Sequence, residues 1–291
     1  MIRSRFSGSD FLWFDSVGFV VKWLTGAGWR CIVEGKVREV IYYSAGFFGY
    51  GEKGDFRQWS LAHIIPILLA VAAIILIWRN RVKIRTWKGE RTFRFIYAFV
   101  MIICEMSYFW RLVYVGPGTD PDKSMMGFLP LQVCQWTLIC TTFMMMSESR
   151  KLFNLSFFLT MSAGILPILF PAVISAMGPG YYRYYQYWGE HLLPMVGMFY
   201  MMFVHEYKVR PYGIPLTIGA LFCLAVPCVY FNGKYEDAHY LYLKHGNFAM
   251  LDFLPDSVFL TGLVLTVAVL ILLGLDYLVY RLVTGKNHKH V

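Results

Sequence analysis

Apolar residues in this chain gather into long runs separated by short polar connections. Seven runs approach the roughly 20 residues that a transmembrane helix needs. They are Leu61–Trp78, Phe93–Val115, Gly127–Met146, Leu152–Met177, Tyr187–Val204, Ile214–Phe231 and Val258–Tyr280. The pattern predicts an all-α protein: a polytopic transmembrane helical bundle of about seven spans. The second run is the most polar, with Arg94, Glu105 and Arg111. Its neighbours on both sides require a crossing there all the same.

The first 58 residues obey a different rule. Phe11–Val33 is apolar but holds Asp15, Lys22 and Arg30, and glycines at 18, 26, 28, 46, 49 and 51 interrupt the region. It reads as interfacial or amphipathic helices at the outer face. The alternative is an extra span with the N-terminus inside. Arg3 and Arg5 do not open a signal peptide, because Asp15 and Lys22 interrupt the apolar stretch after them and no small-residue cleavage site appears. Three regions result: an N-terminal interfacial segment (1–58), a transmembrane helical domain (59–283) and a basic tail (284–291).

Charge then orients the bundle. The connection Arg79–Arg94, the pairs Arg150/Lys151 and Lys208/Arg210, and the end of the chain carry 14 Lys/Arg, against four in the alternate connections. Basic residues favour the cytoplasmic side. A multi-pass protein of the cell membrane with a cytoplasmic C-terminus is the expectation.

Composition agrees. Hydrophobic residues make up 57% and charged residues 15%, against roughly 45–50% and about 25% in soluble proteins. This excludes a disordered chain, a disulfide scaffold and a conventional soluble enzyme. The net charge of +9 does not signal nucleic acid, because the cations flank apolar runs; membrane lipids are the expected partners. Nothing in the sequence fixes the oligomeric state. The six cysteines lack metal-ligand spacing. His239 and His245, with Glu236, Asp237 and Asp252 nearby, read as solvated loop charges. No metal and no cofactor are expected. There is no G-x-S-x-G or H-E-x-x-H motif. No internal repeat supports an inverted-repeat transporter.

Polar residues inside spans are expensive, so their depth is informative. His63 starts the first span on the outer side. Arg111 closes the second there, with Glu105 about two turns deeper. Gln132, Cys134 and Gln135 lie in the outer part of the third span, Glu190 and His191 in that of the fifth, and Asn232 closes the sixth. All sit about 5–15 Å below one boundary at 1.5 Å per residue. Structural readings stand beside the functional one. Glu105 and Arg111 would pair internally, His63 and Arg111 would snorkel, and Cys134 would be a small buried hydrophobe. The tyrosines from 181 to 187 and Trp188 read as an interfacial belt. Taken together, the layer suggests a cavity open to the outer leaflet. Its chemistry would be nucleophilic, with a cysteine thiol attacking an ester, a histidine moving the proton and a glutamine facing the oxyanion. Neighbours on a helix point about 100° apart, so Glu105 is the expected orienter of His191 and Glu190 is not.

The segment FLPLQVCQW (Phe128–Trp136) resembles the LPLHLC signature of the bacterial YwaF-like integral membrane family. Tyr187–Tyr200, with Glu190-His191 and Pro194, resembles that family's histidine span. AHYLYLKHGNFAMLDFLPDSVF (Ala238–Phe259) resembles its last loop. The family is similar to eukaryotic multispan acyltransferases that remodel ether phospholipids and carry an NPCH motif. The resemblance implies a lipid acyltransferase with Cys134 as nucleophile and His191 as acid/base. Gln132 stands where the bacterial motif has histidine, and Gln135 where the eukaryotic one does. Any histidine base must therefore be His191 or His63. A non-catalytic lipid-binding or sensing protein and a transporter are the competing expectations.

Overall fold

A computed structural model describes residues 12–14, 19–24, 28–33 and 36–37 as backbone, and 46–49, 56–115, 128–171, 178–236, 238–243 and 257–285. His245, Asp252 and the end of the chain beyond residue 285, including the basic tail, lie outside the described residues. So does the predicted end of the fourth span at Met177.

The chain is a polytopic helical bundle. α1 (Leu61–Arg85) and α2 (Glu90–Val115) are followed by α3 (Val133–Ser147). The fourth element is a broken helix, with α4 (Arg150–Leu159), a π-helical turn (Thr160–Gly164) and α5 (Ile165–Leu169). α6 (Tyr182–Val204), α7 (Gly213–Lys234) and α8 (Val258–Gly285) complete it. Among the described residues, five helical segments are long and apolar enough to cross a membrane: Leu61–Arg85, Glu90–Leu112, Arg150–Leu169, Gly213–Lys234 and Val258–Gly285. α3 is apolar but shorter. α6 has the length, but its first turns are polar.

The N-terminal segment departs from the expected interfacial helices. Its described backbone forms β1 (Leu12–Phe14), β2 (Phe19–Leu24), β3 (Gly28–Val33) and β4 (Lys36–Val37), an antiparallel meander in the order β1-β2-β3-β4. The register pairs Val21 with Cys31 and Ile32 with Val37. FVVKWL and GWRCIV are rich in β-branched and aromatic residues, which favour strands. In the sequence three residues, Thr25-Gly26-Ala27, separate them, and Glu34-Gly35 separates GWRCIV from Lys36–Val37, which is the spacing of hairpins.

α6 is the hub. It packs against α1, α2, α3 and α4. In a bilayer such packing depends on close approach, which small residues permit. A Cβ on Gly189 would lie 2.7 Å from Cys104 Sγ, and one on Gly197 would lie 3.2 Å from both Thr141 and Tyr97. These two glycines therefore bring α6 tightly onto α2 and α3. Ala98, Met101, Met144, Met198 and Met201 fill the buried core between these helices.

Opposite the predicted polar layer, a charged network ties the helix ends together. Glu90 Oε1 accepts from Arg94 Nε at 2.8 Å, Tyr200 Oη at 2.9 Å and His205 Nε2 at 2.7 Å. Arg94, buried, also donates to Glu148 and to the Met145 carbonyl. Burial of the Tyr207 hydroxyl, which donates to the Glu148 carbonyl, raises its pKa above the ordinary tyrosine value.

Candidate functional site

α3 begins at Val133, so Cys134 and Gln135 lie in its first turn. Gln132 precedes it in extended conformation, and its backbone N–H donates to Gln135 Oε1 at 3.2 Å. That bond satisfies one of the donors left open at a helix start. Gln132 Nε2 donates to the His239 carbonyl at 3.3 Å, and Gln135 Nε2 to Glu105 Oε1 at 3.0 Å. Both glutamines thus hold neighbouring elements in place rather than face a common oxyanion.

The reactive groups meet between α3 and α6. The thiol of Cys134, the carboxylate of Glu190 and the imidazole of His191 have their donor atoms within 4.8 Å of one another. The thiol and the Glu190 carboxylate face each other across that distance. Glu190 and His191 are buried and Cys134 is half-buried. His191 Nδ1 lies 2.8 Å from the Tyr187 carbonyl one turn earlier. A carbonyl only accepts, so Nδ1 carries the hydrogen and Nε2 keeps its lone pair.

Arg183 completes the cluster. Its Nη1 donates to Glu190 Oε2 at 3.3 Å, and both side chains are nearly excluded from solvent. The guanidinium lies 4.5 Å above the Tyr108 ring and 5.8 Å from that of Tyr187. Gln186 Nε2 donates to the same carboxylate oxygen at 3.2 Å. Arg183, Gln186, Tyr187 and Glu190 stand at i, i+3, i+4 and i+7 on one face of α6. That stripe is readable in the sequence. The apolar run begins only at Tyr187 and so leaves out half of the stripe, whereas the chain already turns helical at Tyr182.

The expected orienter does something else. Glu105 accepts from Gln135, while its Oε2, buried, has no hydrogen-bond partner among the described residues. The group that orients His191 is the Tyr187 carbonyl. Glu105 and Arg111 are both buried but go separate ways. Arg111 donates from Nε to the Phe48 carbonyl and from Nη2 to that of Gly49, each at 2.9 Å. It fastens the segment before α1 to the bundle.

His63 is fully buried, and both nitrogens bind backbone. The Trp59 N–H donates to Nδ1 at 2.9 Å, and Nε2 donates to the Ile168 carbonyl at 2.8 Å. The ring also stacks on Trp188 at 5.6 Å. It does not snorkel. With Tyr187 Oη on the Pro167 carbonyl and Gln58 on that of Leu169, it caps the open carbonyl end of α5. The aromatic belt is likewise largely interior. Tyr184, Tyr187 and Trp188 are buried, and only Tyr185 among the packed ring residues there is largely exposed.

The loop after α7 forms one wall. Asn232 Nδ2 donates to the Tyr240 carbonyl at 2.9 Å, and the Tyr240 N–H returns a bond to Asn232 Oδ1 at 2.8 Å. The Leu129 N–H donates to Tyr240 Oη at 2.7 Å. Leu241 and Tyr242 then take left-handed backbone conformations (φ 54° and 56°), a strain of about 1–3 kcal/mol each that only a well-anchored turn retains. Tyr242 is within electrostatic reach of Cys134. Burial of its hydroxyl, and then the thiol, raise its pKa above the ordinary tyrosine value.

The fold and this cluster define a multi-pass helical membrane protein with a half-buried thiol close to a buried carboxylate and imidazole. Its family is recognisable: residues 58–277 match the TMEM164 family, and the chain belongs to it. No curated protein and no solved structure matches the chain.

Proposed function

We propose that the protein transfers lipid acyl chains through a thioester on Cys134. One observation carries this reading: the Cys134, Glu190 and His191 donor atoms lie within 4.8 Å of one another. The thiol gives its proton to the Glu190–His191 pair as sulfur attacks an ester carbonyl. His191 Nε2 is the base, held by the Tyr187 carbonyl. Arg183 keeps Glu190 in place and brings positive charge near the developing oxyanion. The resemblance of Phe128–Trp136 to the YwaF-like signature supports the same chemistry. So does a site buried in a bundle of membrane-length helices, where lipid is the accessible substrate. The basic connections favour a cell-membrane protein with a cytoplasmic C-terminus.

The test is intact mass of the detergent-purified protein after incubation with phospholipid, for wild type and Cys134→Ser. The expected result is an adduct of acyl mass on wild type alone, removed by hydroxylamine. Co-purified lipid without an adduct would replace this reading with lipid binding.

A second reading rests on the same three atoms. A thiolate, carboxylate and imidazole with one position open would also suit a zinc ion. The Arg183 guanidinium bound to Glu190 opposes a second cation there. Stoichiometric zinc by elemental analysis, lost in Cys134→Ser, would favour this reading.

A further inference from the structure

Glu105 is a buried carboxyl that the thioester chemistry leaves unused. It stands on α2, and Gln135 Nε2, from the residue next to Cys134, fixes its Oε1 at 3.0 Å. Its Oε2 is buried and has no partner among the described residues. An orphaned carboxyl oxygen in such a place is expensive unless something binds it. It is not remote, since Glu105 interacts electrostatically with both Cys134 and Glu190. Gln186 Oε1, on the side chain whose amide holds Glu190, is a second buried oxygen with no partner among the described residues. Two orphan oxygens on side chains bonded to Gln135 and to Glu190, with an arginine already present, suit a neutral hydrogen-bearing group better than another cation. An alcohol is such a group.

Resting on the acyl-transfer reading, we infer that Glu105 Oε2 binds the alcohol oxygen of the substrate and moves its proton. Two carboxyls then divide the work. In the first half-reaction sulfur bonds to the acyl carbon and the ester C–O bond breaks. The thiol proton goes to the Glu190–His191 pair, and Glu105 gives its own proton to the departing alkoxide. In the second half-reaction the hydroxyl of an incoming lipid bonds to the thioester carbon and the C–S bond breaks. The hydroxyl proton goes to Glu105, and the Glu190–His191 pair returns a proton to the leaving thiolate. The cycle restores every group and consumes nothing else. It assigns the acyl acceptor to hydroxyl-bearing lipids. By microscopic reversibility, an alcohol released from an oxygen ester leaves through the same site.

The variant Glu105→Gln keeps the size and the bond from Gln135 but cannot move a proton. Two acyl donors separate its roles: a diacyl phospholipid, whose alkoxide must be protonated, and a long-chain p-nitrophenyl ester, whose phenolate leaves without help. The expected result is Cys134 acylation from the p-nitrophenyl ester at the wild-type rate. Acylation from phospholipid, and transfer from the thioester to an added lysophospholipid, should both fall about a hundredfold or more. Equal loss with both donors would make Glu105 a structural residue and overturn the inference. Wild-type rates in all three steps would overturn it too. Absence of an adduct on the wild type with either donor would defeat the thioester reading itself, and the inference with it.

Discussion

Arg183 and Glu190, two turns apart on α6, form a buried ion pair at 3.3 Å beside the Cys134 thiol. Burying either charge alone is expensive, so the pair stands or falls together. Arg183→Met leaves Glu190 without its counter-charge and should lower stability by about 3–5 kcal/mol. Arg183→Lys should rescue only part of this, because an ammonium does not reproduce the planar contact with Tyr108. Arg183→Met with Glu190→Met should recover stability but not Cys134 acylation. Thermal unfolding in detergent checks the first two, and adduct mass the third. An Arg183→Met protein melting like wild type would refute the pair's role.

Gly189 controls how closely α6 meets α2. Its added Cβ would lie 2.7 Å from Cys104 Sγ, inside van der Waals contact. Gly189→Ala should therefore destabilise by about 1–3 kcal/mol and slow acylation at Cys134 by moving Glu190 and His191. In a Cys104→Ala background the same change should be nearly neutral. The double-mutant cycle reads the coupling directly. Additive effects would mean that the two residues do not meet.

Asn232 anchors the turn that carries Tyr242, within electrostatic reach of the thiol. Asn232→Ala removes the side-chain acceptor of the Tyr240 N–H and one donor to the Tyr240 carbonyl, which keeps the Leu243 N–H, at a cost of about 1–3 kcal/mol. The strained Leu241–Tyr242 backbone should then relax. Hydrogen exchange should accelerate across 238–243, and a maleimide should label Cys134 faster, with little change in the helices. Unchanged labelling would show that the turn does not cover the site.

Much of this architecture was legible in the chain. Apolar runs determined the helices, because in a bilayer each backbone must satisfy itself within its own segment. Alternation of spans put Cys134 and His191 at one depth before any coordinates. The resemblance around Phe128–Trp136 pointed to the same cysteine. At the N-terminus the strand signals of FVVKWL and GWRCIV were present too, but hydropathy alone does not separate a short apolar strand from an interfacial helix.

What the sequence could not supply was direction around each helix axis. Depth groups His63, Glu105, Arg111, Gln132 and Gln135 with Cys134, but only packing decides which side chains converge. Close approach at Gly189 and Gly197 set the rotation of α6 against α2 and α3. That rotation brought Glu190 to the thiol although it adjoins His191, because both side chains reach one sulfur from adjacent directions. Packing of α1 and α2 turned His63 toward the carbonyls of α5 and Arg111 toward Phe48 and Gly49. Periodicity settled where the helices run. Contacts between residues far apart in the chain settled which polar groups are structure and which are chemistry.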